Sequence, residues 1–261
     1  MVIECSSSTP RRSRSPSRNS VAQPLPKVRP AEIDKQLRAV TRPHRAGSVD
    51  GHSESSLRVL GATVPDMRRI VRDVARHIQG ENAAFVVDLA QGLVALGTLE
   101  ARQVAYELLG RRKDALATLG TKTVEALGRG NDNWKSVDVF ACEVAGVCWR
   151  DGRVTDAAVR RWARAKDRWW RRTALVSTIP FNMKSRGGTG DAKRTLEICA
   201  LCAEDRDDMV VKACSWALRE LGERDPKAVR KFVQEQELAP RVVREVRNKL
   251  ASGLKNPRGQ R

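Results

Sequence analysis

The chain is poor in aromatic residues. Phe, Trp and Tyr make up 4% of its 261 residues, with a single Tyr. Sustained alternation of Val, Ile, Thr and Tyr is missing too, which argues against sheets. Ala, Val, Leu and Arg dominate instead, and that composition points to an all-α fold. No run of 18 apolar residues occurs, so no membrane-spanning helix is expected. No apolar stretch follows the initial Met, and no secretory signal is expected. The Cys199-Ala-Leu-Cys202 pair has no second CxxC or His pair to complete a zinc site. The Gly187-Gly188-Thr189-Gly190 run has no strand before it and no Gly-Lys-Ser/Thr after it, so it is not a phosphate loop. These absences leave no metal and no cofactor to assign.

What remains is a helical, basic chain. Hydrophobic residues at 41% are enough for a core, and Lys plus Arg outnumber Asp plus Glu by 49 to 31, a net charge of +18. The excess is not confined to one end. Residues 1–59 hold 11 Lys/Arg and 5 Asp/Glu, and the rest of the chain holds 38 and 26. Such a body suits a polyanionic partner, with nucleic acid ahead of a membrane surface. A generally basic proteome would make the same charge incidental. The six cysteines (Cys5, Cys142, Cys148, Cys199, Cys202 and Cys214) lie mostly in apolar helical pattern and read as buried thiols of a reducing compartment.

Residues 1–30 are rich in Ser, Arg and Pro, as in Thr9-Pro10-Arg11-Arg12-Ser13-Arg14-Ser15-Pro16. They cannot bury enough apolar surface to offset their ordering entropy. Residues 1–56 are therefore expected to form a disordered basic tail, with a short helix compatible with 31–41. The composition of this tail is also compatible with organelle or nuclear targeting; otherwise a cytoplasmic, nucleoid-associated protein is expected. The folded domain is expected over 57–253, followed by a basic C-terminal tail, 254–261. Within the domain, breakers divide the apolar periodicity into helices near 65–79, 83–96, 99–109, 113–127 (interrupted at Gly120), 135–150, 156–165 and 168–179. A Gly-rich loop over 183–190 precedes further helices ending near 203, 221, 236 and 250. Thr155, Asp167, Asp191, Asp207 and Asp225 are the expected N-caps, the last followed by Pro226 at the first helical position. Helix pairs at 153–180, 191–222 and 225–252 recur every 35–40 residues or so, a spacing that suggests HEAT-like repeats stacked into a curved α-solenoid.

One stretch stands out: Asn133-Trp134-Lys135-Ser136-Val137-Asp138. On a helix, Trp134 and Asp138 share a face. A π surface beside a carboxylate attracts cations twice over. A tryptophan in a helix is usually core, and an Asp four residues on is usually solvated or in a local ion pair. Two further segments couple Trp to Arg at helical spacing: Trp169-Trp170-Arg171-Arg172 and Trp216-Ala217-Leu218-Arg219-Glu220. Trp216 equally fits plain core, and Arg172 equally fits a cap on a neighbouring helix C-terminus.

Over residues 57–253 the chain resembles the AlkD-like family of DNA alkylation repair enzymes, HEAT-like helical-repeat DNA glycosylases. The resemblance rests on Leu60-Gly61-Ala62-Thr63-Val64-Pro65, Glu100-Ala101-Arg102-Gln103-Val104-Ala105, Trp134-Lys135-Ser136-Val137-Asp138, Trp169-Trp170-Arg171-Arg172-Thr173-Ala174, Lys212 to Glu220, and Glu237-Leu238-Ala239-Pro240 with Arg244-Glu245. It implies an active site of Trp134, Asp138, Arg172 and Trp216. Arg219 would contact DNA, joined by Arg171 and Lys135. The sequence departs from the family where members carry a tyrosine: here the region reads Asp50-Gly51-His52-Ser53-Glu54.

The chemistry such a site would serve follows from the substrate class. A purine alkylated at N3 or N7 is cationic and leaves as a neutral base, so the enzyme need not protonate it. It needs a carboxylate to stabilise the oxocarbenium-like sugar and place a water. That role is expected of Asp138, with the two indoles flanking the sugar and base, and Arg172 and Arg219 holding phosphates. No lysine sits in a Schiff-base motif, so a monofunctional glycosylase acting on alkylated double-stranded DNA as a monomer is expected. The rival expectation is a non-catalytic HEAT-like DNA-binding scaffold, since one fold hosts both. A protein-interaction solenoid is a third.

Overall fold

The computed structural model describes residues 28–42 and 55–257. The Ser/Arg-rich residues 1–27, the Asp50–Glu54 region and residues 258–261 lie outside the described residues. Among the described residues the structure is helical, with one isolated bridge between Arg58 and Thr98. The helices are α1 (Pro30–Ala39), α2 (Val64–His77), α3 (Ala83–Ala95), α4 (Leu99–Gly110), α5 (Lys113–Thr118), α6 (Thr121–Gly128), α7 (Trp134–Phe140) and α8 (Gly146–Arg150). They continue as α9 (Asp156–Ala163), α10 (Arg168–Val176), α11 (Ile179–Asn182), α12 (Ala192–Leu201), α13 (Asp208–Gly222), α14 (Pro226–Glu235) and α15 (Pro240–Ser252). The all-α expectation therefore holds.

Side-chain caps set most of the boundaries. Thr155, Asp167, Asp191, Asp207 and Asp225 each accept a backbone N–H from the first turn of α9, α10, α12, α13 and α14. Each such bond satisfies a donor the helix itself cannot pair and contributes about 1 kcal/mol. Gly97, at φ +66°, and Gly152, at φ +75°, turn the chain between helices in the left-handed region.

One row of helices packs in sequence: α4 on α7, α7 on α10, α10 on α13, and α13 on α15. A second row backs it, with α3 on α4, α9 on α10, α12 on α13 and α14 on α15. Each helix pair buries its apolar face against the next, so one continuous core runs the length of the stack. Trp149, Tyr106 and Phe140 are the largest fully buried side chains. Trp149, Trp162 and Trp169 are buried, and Trp170 is partly buried against Trp162, with ring centroids 5.2 Å apart.

Three features differ from the sequence expectation. First, the short helix within 31–41 is not an appendage: α1 packs on α2, α3 and α4, and Ile33 and Leu37 are fully buried. Its surroundings in sequence are polar, so its two buried apolar residues give little periodic signal. Second, the helix expected over 135–150 is broken by a π-helical turn, Ala141–Ala145, between α7 and α8. A glycine sits just beyond it: a methyl group on Gly146 would collide with the Ser177 carbonyl. Third, the chain does not leave the body at 254. Gly253, at φ +73°, ends α15 in the left-handed conformation, and Asn248 donates to the Lys255 carbonyl (3.3 Å).

Five cysteines lie among the described residues, all buried and free. Burial pushes the Cys142, Cys148 and Cys202 thiols up to about 12, so they are unreactive at neutral pH.

Candidate active site

The placement of α7 begins with a polar knot beneath its first residue. Asn133 is fully buried and caps the helix, its side-chain Oδ1 accepting from Ser136 N–H at 3.0 Å. Asp132 accepts from the Ser55 hydroxyl at 2.6 Å and also from the Ser56 backbone N–H. Tyr106, on α4, donates to the Leu127 carbonyl at 2.8 Å, and Arg102 donates to Asn131 at 3.0 Å. Segments distant in sequence thus converge on the turn that launches Trp134. Glu100, 2% exposed, accepts from the Leu60 and Gly61 backbone N–H groups at 3.0 and 2.7 Å. Gly61 sits at φ +92°, a conformation that favours glycine.

Trp134, Asp138, Arg172 and Trp216 line one open cleft of about 410 Å³. The row described above explains why: α7, α10 and α13 are neighbours, with α7 and α10 each contributing one turn and α13 the face from Met209 to Arg219. Trp134 packs on Val137, Trp169 and Met209. Trp216 donates its indole N–H to Glu220 at 3.0 Å. Both indoles are only partly buried, which leaves ring surface to the cleft.

In the same cleft Asp138 is gripped by a two-pronged ion pair. Arg172 Nε reaches Oδ1 at 2.8 Å and Nη2 reaches Oδ2 at 2.7 Å, while Nη1 donates to the Met209 carbonyl. Fork-to-fork pairing of this kind fixes a carboxylate in position and plane. Burial pushes the Asp138 carboxyl above its ordinary value, against the opposing pull of the Arg172 guanidinium. The Asp138 side chain is 17% exposed and that of Arg172 7%, so both are largely enclosed in the wall of the cleft and the carboxylate is the more open of the two.

The positions of three residues differ from expectation. Arg172, expected to hold a phosphate, commits three nitrogens to protein acceptors from a buried position, so it anchors Asp138 instead. Arg171, expected to bind DNA, faces away from the cleft. It donates to the Ala165 and Lys166 carbonyls at 2.9 and 2.7 Å and pairs with Asp205 at 2.6 Å. Successive residues on a helix diverge by about 100°, so these neighbouring arginines face different partners. Lys135, also expected at the DNA, holds its ammonium 5.7 Å from the Trp134 ring centroid and does not line the cleft.

Arg219 does line it, with Nε donating to the Ser215 hydroxyl at 3.3 Å. Burial lowers the Arg219 pKa, opposed by Glu245 and Glu220. Sequence reasoning missed four further lining residues: Met209, Lys212, Arg241 and Lys255. Met209 and Lys212 sit two turns and one turn before Trp216 on α13, a spacing that was open to notice. Arg241 and Lys255 carry no such signal. Among the described residues no group of His, Cys, Asp and Glu is arranged to hold a metal ion, and no helix is long and apolar enough to cross a membrane.

Comparison with proteins of curated function finds no match. Among solved structures, the chain is similar to a predicted DNA alkylation repair enzyme from Enterococcus faecalis. The TM-score is 0.64 at 16% identity, covering 81% of this chain and 97% of that one. At that identity the likeness speaks to the fold alone. A second structure, smu.31 from Streptococcus mutans UA159, aligns with TM-score 0.46 and 17% identity over 72% of this chain and 97% of that one. The family model described as DNA alkylation repair enzyme matches residues 33–250, beginning inside α1 and ending inside α15. A match over that span, on a helical stack with this cleft, places the chain in the DNA alkylation repair enzyme family.

Proposed function

We propose that this protein is a monofunctional DNA glycosylase. It releases cationic purines alkylated at N3 or N7, of the 3-methyladenine and 7-methylguanine class, from duplex DNA by hydrolysing the N-glycosidic bond. Its HEAT-like stack carries the duplex along the row of α7, α10, α13 and α15. The observation that carries the reading is Asp138, a carboxylate oriented by Arg172 and set in one cleft with two partly open indoles.

Each group then has a task. The leaving base takes the glycosidic electron pair and departs neutral, so no general acid is required. Positive charge grows on the sugar, and Asp138 lies in the same cleft to stabilise it and to orient a water for attack at C1′. Trp134 and Trp216 offer ring faces to the cationic nucleotide, each contributing about 1–2 kcal/mol where water is excluded. Arg172 keeps the carboxylate ionised and aimed. Arg219 supplies positive charge to the backbone nearby.

A second reading has its own observation. A carboxylate with both oxygens bonded to one arginine is also what a purely structural ion pair looks like, and a non-catalytic DNA-binding scaffold would keep it. The two separate on methylated duplex DNA. A glycosylase frees the alkylated base and leaves abasic sites in an unbroken strand. DNA binding without base release would leave the scaffold; strand breaks formed without added alkali would contradict the monofunctional assignment.

A further inference from the structure

At the α13–α15 end of the cleft lies a second carboxylate. Glu245, on α15, is 2% exposed. Its Oε2 accepts from the Ser215 hydroxyl at 2.6 Å. Its Oε1 takes Arg241 Nε at 2.9 Å and Lys255 Nζ at 3.3 Å. Ser215 in turn accepts from Arg219 Nε at 3.3 Å, so a single hydroxyl links the buried acid to a third cation. Arg219, Arg241 and Lys255 all line the cleft, and the Arg241 and Lys255 side chains are each 37% exposed. One buried negative charge therefore touches two partly exposed cations directly and reaches Arg219, which is more enclosed, through Ser215.

An acid on a DNA-facing surface weakens binding unless it is withdrawn and spent on something else. Glu245 is withdrawn, and its partners converge from α13, α15 and the chain beyond Gly253. Arg241 also reaches Asp208 at 3.0 Å and Lys212 reaches the same acid at 2.6 Å, which ties the rim together. With Glu220 acting on Arg219 as well, four cations face three anions here, an excess of one positive charge at this end of the cleft. Ordered cations lose less freedom on binding than mobile ones, and guanidinium and ammonium groups together match the oxygens of a phosphodiester.

We propose that Glu245 is the positioning residue of a backbone-phosphate site made by Arg219, Arg241 and Lys255, which grips the DNA strand next to the nucleotide held at Asp138. The site rests on the DNA partner of the function proposed above, and it needs no base release to operate. Lys255 belongs to it because Gly253 turns the chain back after α15, so the segment beyond that helix contributes to binding.

The test uses the full chain and undamaged duplex DNA, with Kd measured across a range of salt. Glu245→Gln makes the protein more positive by one charge, so simple charge attraction predicts tighter binding. The positioning role predicts the reverse, a Kd about tenfold higher, equivalent to one charge-assisted hydrogen bond. It also predicts a shallower plot of log Kd against log salt, by about 1 for each phosphate that is no longer gripped. Thermal unfolding of the variant checks that the fold persists. Arg241→Gln and Lys255→Met, each partly exposed, should each weaken binding and flatten the plot in the same way. Equal or tighter binding by a folded Glu245→Gln, or an unchanged salt slope in both rim variants, would overturn the proposal. Should Glu245→Gln fail to fold, the two rim variants decide alone. Failure of base release with these results intact would count against the glycosylase and not against the phosphate site.

Discussion

The two ends of the cleft hold the same functional group in opposite company. At the α7–α10 end, Asp138 has one cation, Arg172, placed behind it, and two indoles beside it. At the α13–α15 end, Glu245 is itself behind, with Arg241 and Lys255 in front. The ionisation of the two follows their settings. Burial raises the Asp138 carboxyl despite Arg172. Burial also works against Glu245, but Ser215, Arg241 and Lys255 outweigh it and hold its carboxyl below the ordinary value. One end presents a negative charge to the cleft, and the other uses a negative charge to present positive ones. A cationic sugar and an anionic backbone are the two things a strand losing its base would offer.

The largest effect that sharpens this contrast is on stability. Arg172→Ala leaves Asp138 charged and largely enclosed, and should cost about 3–5 kcal/mol in denaturant unfolding. Arg241→Ala at the other end removes a partly exposed partner and should cost about 1 kcal/mol or less. Equal costs would show that the two pairs are alike. A smaller effect is in pH. In the proposed reaction Asp138 acts as a carboxylate, and its pKa lies above the ordinary 3.8, so the rate of base release should fall on acidification with a midpoint above 3.8. Glu245 sits below the ordinary 4.5 and stays ionised to lower pH. Its contribution to stability is present above 4.5 and lost as pH falls through the lowered value. Single-turnover rates and DNA affinities measured over the same pH range should therefore show the rate declining first.

How much of this was legible beforehand depends on the range of the interaction. Helix starts were, because an Asp or Thr cap and the N–H it satisfies lie two or three residues apart. The gathering of Trp134, Asp138, Arg172 and Trp216 was expected from the resemblance, and the stacking of α7, α10 and α13 brings them to one cleft. The direction of each arginine was not. Arg171 and Arg172 look interchangeable in a Trp-Trp-Arg-Arg string, yet one turns to Asp205 and the other to Asp138. Glu245 was visible as part of the resemblance, but its place at the cleft, and that of Lys255, was hidden for a different reason. A lone Glu in a basic helix reads as solvated, and only the approach of Ser215 from α13 makes it a buried hub. The helix near 31–41 was expected, but its packing into the body was not, because its two anchors, Ile33 and Leu37, are too few to reveal a face until α2, α3 and α4 close over them.

The most direct measurement is release of free 7-methylguanine from methylated duplex DNA in single turnover, with enzyme in excess, by the wild-type chain and by Asp138→Asn. The amide keeps the shape and removes the charge. The account predicts release by the wild type and a rate about 100-fold or more lower for the variant, a loss of about 3 kcal/mol of transition-state stabilisation. Equal rates from the two proteins would contradict it.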